Sequence, residues 1–147
     1  MSLSDTPLWS PIPGGITRPC GFKASGITAG LKVSGKPDLA LLLAPEDAVC
    51  AGTFTQSLFR AACIDLCIDR LQLNGGRARA VLINAGQANA CTGDYGLRHS
   101  MLATTALAKR LGLQEKEILI CSTGVIGELI PFQKLIAGLD PLISELS

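Results

Sequence analysis

The chain has 147 residues, of which 48% are hydrophobic and 17% are charged, and its formal net charge is +1. A nearly neutral chain without a basic run lacks the electrostatic footprint of a nucleic-acid-binding protein, and no apolar segment reaches the roughly 18 residues of a membrane span. A single histidine without a ligand cluster argues against a metal site, and no cofactor is expected. The apolar excess leaves two interpretations open: a glycine-rich α/β core, or a face that another chain or segment covers.

The start of the chain predicts a short segment that precedes one domain. Residues 1–15 are rich in Ser and Pro, so we expect them to lead into an α/β domain that spans residues 16–147. The first residues lack a basic end followed by an apolar stretch, which argues against a secretory signal and favours a cytoplasmic protein.

Apolar, β-branched runs bounded by Pro or Gly are typical of strands. The first half of the chain contains four segments for which we predict strands: Gly21–Lys32 (a strand or hairpin), Leu39–Ala44, Val49–Thr55, and Ala61–Ile68 (a strand, or a strand entering a short helix).

The second half of the chain alternates strands, loops of small residues and helices. Arg79–Asn84 and Glu117–Cys121 predict buried strands, followed by loops over Ala85–Gly93 and Ser122–Gly127. A helix is predicted between the first loop and the second strand, with its apolar residues at helical spacing and a glycine stop signal: Leu97, Met101, Thr104, Ala108, Leu111 and Gly112. Two short helices are predicted to follow, one from Pro131 to about Ala137 and one from Pro141. This order predicts a layered α/β sandwich with a mixed sheet.

The cysteines and the histidine are predicted to be structural. The six cysteines form no CxxC pair and lie mostly in apolar runs, so we expect reduced, buried thiols. His99, the only histidine, lies off the predicted apolar stripe of its helix, at a position typical of a solvated side chain.

The two loops are the candidates for chemistry. The amides of the first loop, Asn84–Gly93, can satisfy the loop's own backbone or hold a polar substrate, and the structural interpretation is favoured. The second loop, Ser122–Gly127, follows a strand and precedes a helix, so its backbone N–H groups can point into one cavity. The hydroxyl of Thr123 beside the N–H of Gly124 provides the two donors that a tetrahedral oxyanion needs.

These two loops also resemble a known family, the ornithine/glutamate N-acetyltransferases of arginine biosynthesis. The resemblance extends to Gly26–Gly30 and to Ala51–Thr55 followed by Arg60-Ala61-Ala62, and it covers the chain from about Pro13 to its end. Two positions depart from the family pattern: Ser57 and Gln87 stand where family members often have Asn. Neither departure touches the two proposed oxyanion donors.

The resemblance implies a four-layer α/β sandwich and a precursor that cuts itself into an N-terminal α chain and a C-terminal β chain. The Thr that begins the β chain takes acetyl from N-acetylornithine and passes it to glutamate, and some members also accept acetyl-CoA. The Thr-Gly pair that forms the oxyanion hole in the family matches Thr123 and Gly124. The processing site lies beyond the position that matches Ser147. We therefore expect this chain to be part of an α chain, with the nucleophile on a partner β chain and two αβ pairs in the assembly.

Two other classes of function stay open at this point. A self-processing amidase or hydrolase with an N-terminal nucleophile would use the same donor loop, and it would pass the acyl group to water. A binding module without catalytic activity would use the small-residue loops only to pack against a partner.

Overall fold

The computed structural model describes residues 9–147, so residues 1–8 of the predicted N-terminal segment lie outside the described part. Four strands form one sheet in the order β1-β2-β3-β4: Lys23–Ile27 (β1), Leu39–Leu43 (β2), Ala80–Gln87 (β3) and Ile118–Val125 (β4). The pairs β1–β2 and β2–β3 are antiparallel, whereas β3 and β4 are parallel. The predicted α/β fold with a mixed sheet is confirmed.

Three helices form the second layer of the fold. They span Ala62–Leu73 (α1), Gly93–Leu111 (α2) and Phe132–Ser144 (α3), and a turn of 3-10 helix spans Glu115–Glu117. The helices α1 and α2 pack against β4, α3 packs against β1 and β2, and α2 contacts both other helices. Because side chains alternate along a strand, one face of the sheet meets these helices. That face carries the fully buried residues Leu39, Leu41, Leu82 and Ile118.

The opposite face of the sheet is only partly covered within residues 9–147. One row of cross-strand neighbours runs from Gly26 through Ala40 and Ile83 to Cys121. Ile83 is 37% exposed, and Gly26 and Cys121 are exposed. A largely apolar sheet face that stays open fits the second interpretation of the composition, in which another segment covers it.

Two of the four strands predicted for the first half are wrong. Ala61–Ile68 forms the first part of α1 instead, because Cys63, Leu66, Cys67 and Arg70 recur at the three- and four-residue spacing of a helix and are all buried. Val49–Thr55 forms no strand, since its residues pair with no strand of the sheet. Val49 is 82% exposed. The N–H of Cys50 donates to the carbonyl of Gly76, in the turn after α1, at 2.7 Å.

The prediction of two short helices near the C-terminal end is also wrong. Pro141 lies inside the single helix α3 and does not begin another. A proline inside a helix costs about 3 kcal/mol. Here Leu135, Gly138, Leu139 and Leu142 lie on one buried face of the helix at positions i, i+3, i+4 and i+7. Burial of each large apolar side chain stabilises the fold by about 1.5–3 kcal/mol, which offsets the cost of the proline.

The long central helix α2 ends at the residue that the sequence predicts. Gly112 adopts the left-handed conformation at φ 67° directly after Leu111, and its N–H bonds to the Ala108 carbonyl. The helix begins at Gly93, and its buried face differs from the predicted stripe. Leu97 and Met101 are 39% and 46% exposed, whereas the buried positions are Gly96, Ser100, Ala103, Thr104, Leu107 and Ala108.

The structure also corrects the expectations for the cysteines and the histidine. Cys63 and Cys67 are buried, but Cys20, Cys91 and Cys121 are exposed. His99 is half-buried and stacks on Phe132 of α3, with ring centroids 4.6 Å apart, so its predicted solvated position is wrong. A stacked ring between two packed helices identifies His99 as part of the α2–α3 contact.

Candidate active site

The two predicted loops begin later than expected, because β3 and β4 continue side by side into both of them. The parallel pairing runs from Ala80 and Ile118 to Gln87 and Val125. Four of the six residues of the predicted loop Ser122–Gly127 are therefore strand residues. The predicted site thus lies at the carboxyl ends of two parallel strands, where ligands of α/β folds commonly bind.

Two glycines face each other at these strand ends. Gly86 and Gly124 are paired neighbours in the sheet, and both have positive φ angles, 128° and 136°. A Cβ atom at Gly124 would collide with the carbonyl group of Gly86, and one at Gly86 would lie 3.2 Å from the carbonyl oxygen of Leu31. Glycine is required at both positions, because three backbone segments lie one on another here without side chains between them.

Thr123 lies on the open face of the sheet. It pairs with Ala85 and shares its face with Cys121 and Ile83, since side chains point to the same face at every second residue. Thr123 and Gly124 are both exposed, and no hydrogen bond from the Thr123 hydroxyl occurs among the described residues. The hydroxyl is therefore accessible from the face that the helices leave open.

The position of Gly124 in β4 predicts which way its backbone N–H points. As β4 is the edge strand, alternate residues turn their N–H and C=O groups away from β3. Ile118 and Ile120 belong to this outward set: the Ile118 carbonyl accepts a bond from Arg70 at 2.6 Å, and the Ile120 N–H and carbonyl contact the thiol of Cys67. The two-residue alternation predicts that Gly124 belongs to the same set and that its N–H points away from the sheet.

Buried polar side chains hold the strand ends together. Asn84 is 1% exposed; its Nδ2 donates to the carbonyl of Gln87 at 3.2 Å, and its Oδ1 accepts the hydroxyl of Ser122 at 2.7 Å. Gln87 is 7% exposed, and its Nε2 donates to the carbonyl of Leu31 at 2.8 Å. The Oε1 of Gln87 has no partner among residues 9–147. The amides of the first loop thus bind the protein's own backbone and hydroxyl groups.

The loop after β3 is held by Asn89. This residue adopts a positive φ of 52°, is 1% exposed, and donates to the carbonyl of Gly96 and the hydroxyl of Ser100. Its Oδ1 accepts the hydroxyl of Thr92 at 2.9 Å. A buried amide with every polar atom bonded is structural, which supports the structural interpretation of this part of the loop.

The two loops also bond to each other. The N–H of Ala88 donates to the carbonyl of Val125, and the N–H of Gly127 donates to the carbonyl of Ala90, each at 2.9 Å. Together with the bond from the Ser122 hydroxyl to Asn84, these two bonds fix the segment Ser122–Gly127 on both sides of Gly124.

A cavity of about 240 Å³ lies at the first turns of α1 and α2, and its lining contains neither Thr123 nor Gly124. The lining of this cavity includes Asp94 and an exposed ion pair, in which Nε of Arg60 lies 2.7 Å from Asp65. We place the candidate active site at the strand ends, because Thr123 and Gly124 are exposed there, at the carboxyl ends of two parallel strands.

The structure also bears on metal and membrane binding. Across residues 9–147, no three His, Cys, Asp or Glu side chains are grouped closely enough to hold a metal ion. The same part of the chain contains no helix that is both long and apolar enough to span a bilayer.

Sequence reasoning missed two residues of this region, Gly86 and Asp38. Gly86 was one small residue among several, and only the register of β3 with β4 brings it against Gly124. Asp38 precedes β2 and is 3% exposed, and its carboxylate accepts N–H bonds from three residues: Ala29, Leu31 and Lys32. The signal available in the sequence was a lone acid between a proline and an apolar run.

The fold is shared with ornithine acetyltransferase structures. The ornithine acetyltransferase of Mycobacterium tuberculosis, solved in complex with ornithine, matches with a TM-score of 0.86 and 39% identity over 90% of this chain and 71% of that chain. The arginine biosynthesis bifunctional protein argJ of Bacillus halodurans matches with a TM-score of 0.81 and 31% identity over 86% of this chain and 65% of that one.

The sequence model of the ArgJ family matches residues 23–147, and the chain belongs to this family. The arginine biosynthesis bifunctional protein ArgJ of Prochlorococcus marinus strain MIT 9313 is 68% identical over 140 residues, which is 95% of this chain and 33% of that protein. The protein of the same name from Parasynechococcus marenigrum is 68% identical over 139 residues. The family expected from the sequence is confirmed, and the chain spans about a third of the length of these curated relatives.

Proposed function

We propose that this chain is part of an N-acetyltransferase that moves acetyl from N-acetylornithine to glutamate. In this proposal the nucleophile is the N-terminal Thr of a partner β chain, made by self-cleavage of a common precursor, and an acetyl-Thr intermediate forms. Thr123 and Gly124 provide the oxyanion hole. The assembly contains two αβ pairs in the cytoplasm.

The observation on which the oxyanion role depends is the arrangement of two adjacent donors. Thr123 is exposed, and its hydroxyl makes no hydrogen bond among residues 9–147; strand alternation predicts that the N–H of Gly124, on the edge strand of that part of the chain, points outward. Attack on an acetyl group creates a negative oxygen that is absent from the ground state, and preorganised donors stabilise it. The backbone of both residues is held by bonded strand ends, so little backbone reorganisation accompanies the charge.

The open face of the sheet supports a partner chain. Within residues 9–147 no helix covers the row from Gly26 to Cys121, and Thr123 lies on that same face. A chain seated on this face would cover apolar surface and could bring its nucleophile to the hydroxyl of Thr123. The names of the relatives and of the matching structures support acetyl transfer in arginine biosynthesis.

The alternative function is a self-processing amidase or hydrolase, which could use the same two donors. The acceptor of the acyl group distinguishes the two functions: it is glutamate for the acetyltransferase and water for the hydrolase. The membership in the ArgJ family favours transfer to glutamate.

The test uses the full-length protein with N-acetylornithine and glutamate, followed by product analysis and intact-mass measurement. We expect equal amounts of ornithine and N-acetylglutamate, and a second chain that begins with Thr. Acetate without N-acetylglutamate would support the hydrolase. A fully active, uncut polypeptide would contradict the proposed nucleophile.

A further inference from the structure

A chain of hydrogen bonds runs from the loop before β2 to the residue before Thr123. It begins at Asp38, whose buried carboxylate accepts the N–H groups of Ala29 and Leu31 at 2.7 Å and of Lys32 at 3.0 Å. The carbonyl of Leu31 then accepts Nε2 of Gln87 at 2.8 Å. A carboxylate that accepts several backbone N–H bonds fixes the conformation of its loop, since charge-assisted bonds are about twice as strong as neutral ones.

The second half of this chain of bonds reaches β4 through Asn84. Its amide is used at both ends, by the carbonyl of Gln87 and by the hydroxyl of Ser122. Because the donor and acceptor partners differ, only one orientation of the amide satisfies both. Asn84 is 1% exposed, so its amide is shielded from solvent.

Three backbone segments pack against one another in the same order in which these hydrogen bonds connect them. The carbonyl of Leu31 lies against Gly86, and the carbonyl of Gly86 lies against Gly124. A shift of any one segment therefore shifts the next, because no flexible side chain separates them.

From these contacts, and given the proposed acetyl transfer, we propose that Asn84 and Ser122 are positioning residues for the oxyanion donors Thr123 and Gly124. Neither side chain touches substrate; each acts by fixing the peptide that precedes Thr123. This role matters because β4 is the edge strand of the sheet that residues 9–147 form, and within that part of the chain its end is held by one neighbouring strand, β3. A misplacement of about 1 Å can reduce turnover by about a hundredfold.

The test is Ser122→Ala in the full-length protein, assayed for acetyl transfer at varied concentrations of N-acetylornithine. We expect kcat to fall by roughly ten- to a hundredfold, with KM changed less than about twofold, because the lost bond positions donors used mainly in the transition state. Ser122→Thr keeps a hydroxyl and is expected to restore most of kcat. If Ser122→Ala does not fold, Ser122→Cys takes its place, and we expect its kcat to fall several-fold.

Thr104→Val provides the matched control. Thr104 is fully buried in α2, and its hydroxyl donates to carbonyls of its own helix, at 2.8 Å to that of Ser100, rather than to a residue of β3 or β4. Its loss is expected to lower Tm without lowering kcat. Normal kcat in the Ser122 variant, or an equal loss of kcat in the Thr104 variant, would overturn the positioning role.

Thr123→Ala separates this inference from the function on which it rests. If Thr123→Ala loses turnover while Ser122→Ala does not, only the positioning role is overturned. If Thr123→Ala has normal turnover, the oxyanion role fails, and the positioning role fails with it.

Discussion

Replacing Gly124 with alanine tests the close approach of the two strand ends. The new methyl group would meet the carbonyl group of Gly86, and the residue would have to hold a φ of 136°. Backbone strain of this kind costs about 1–3 kcal/mol, and overpacking against a rigid neighbour costs about 1–3 kcal/mol more. We therefore expect Gly124→Ala to lower the free energy of unfolding by about 2–6 kcal/mol, a large part of the 5–15 kcal/mol of a typical protein.

Gly127→Ala is the matched control for this substitution. Gly127 also has a positive φ, 84°, but nothing lies within 4 Å of the position of its Cβ. Gly127→Ala should therefore lower the free energy of unfolding only by the cost of a left-handed backbone at a non-glycine residue, about 1–2 kcal/mol. The assay is thermal unfolding of both full-length variants beside the parent protein. We expect Tm to fall roughly two- to threefold further for Gly124→Ala, in line with the larger cost. Equal decreases in Tm for the two variants would refute the close approach of Gly86 and Gly124.

Two further predictions concern the helices. Gly112→Ala places a side chain at the left-handed residue that ends α2, where nothing crowds it; we expect a loss of about 1–2 kcal/mol, and an unchanged or raised Tm would contradict the left-handed cap. Burial raises the pKa of the Cys67 thiol from 9.0 to about 11. The neutral thiol is favoured in the folded state, so its contribution to stability is complete below pH 9 and is lost as the pH rises through about 11. At pH 8 we expect iodoacetamide to modify Cys67 only after the protein is unfolded, as measured by peptide mass spectrometry. Rapid labelling of Cys67 in the folded protein would contradict the burial of this thiol.

Local signals in the sequence predicted the elements whose hydrogen bonds are local or whose boundaries are marked. Leu39–Leu43 lies between two prolines, and Gly112 marks the end of α2, so both were predicted correctly. The first part of α1 was predicted as a strand, or as a strand entering a short helix, because Ala61–Ile68 is apolar on several sides. Its three- and four-residue pattern includes Arg70, whose burial depends on a bond to the Ile118 carbonyl that the sequence does not reveal.

The candidate site shows the same division between local and distant information. Thr123 and Gly124 could be selected from a local motif, because a hydroxyl beside a glycine N–H is a pattern of adjacent residues. Gly86 and Asp38 could not, because their roles depend on which strands pair and in which register. Register is set by the burial of whole strand faces, which a motif of a few residues does not contain.

Turnover and Tm of Thr123→Ala, measured on one sample of the full-length protein, test the central claim most directly. Loss of one oxyanion donor typically lowers kcat by roughly a hundred- to a thousandfold, and the exposed position of Thr123 predicts little change in Tm. We expect that loss of kcat with KM nearly unchanged, and recovery of much of the rate in Thr123→Ser. A lower Tm with normal kcat would contradict the oxyanion role and leave Thr123 as a structural residue of β4.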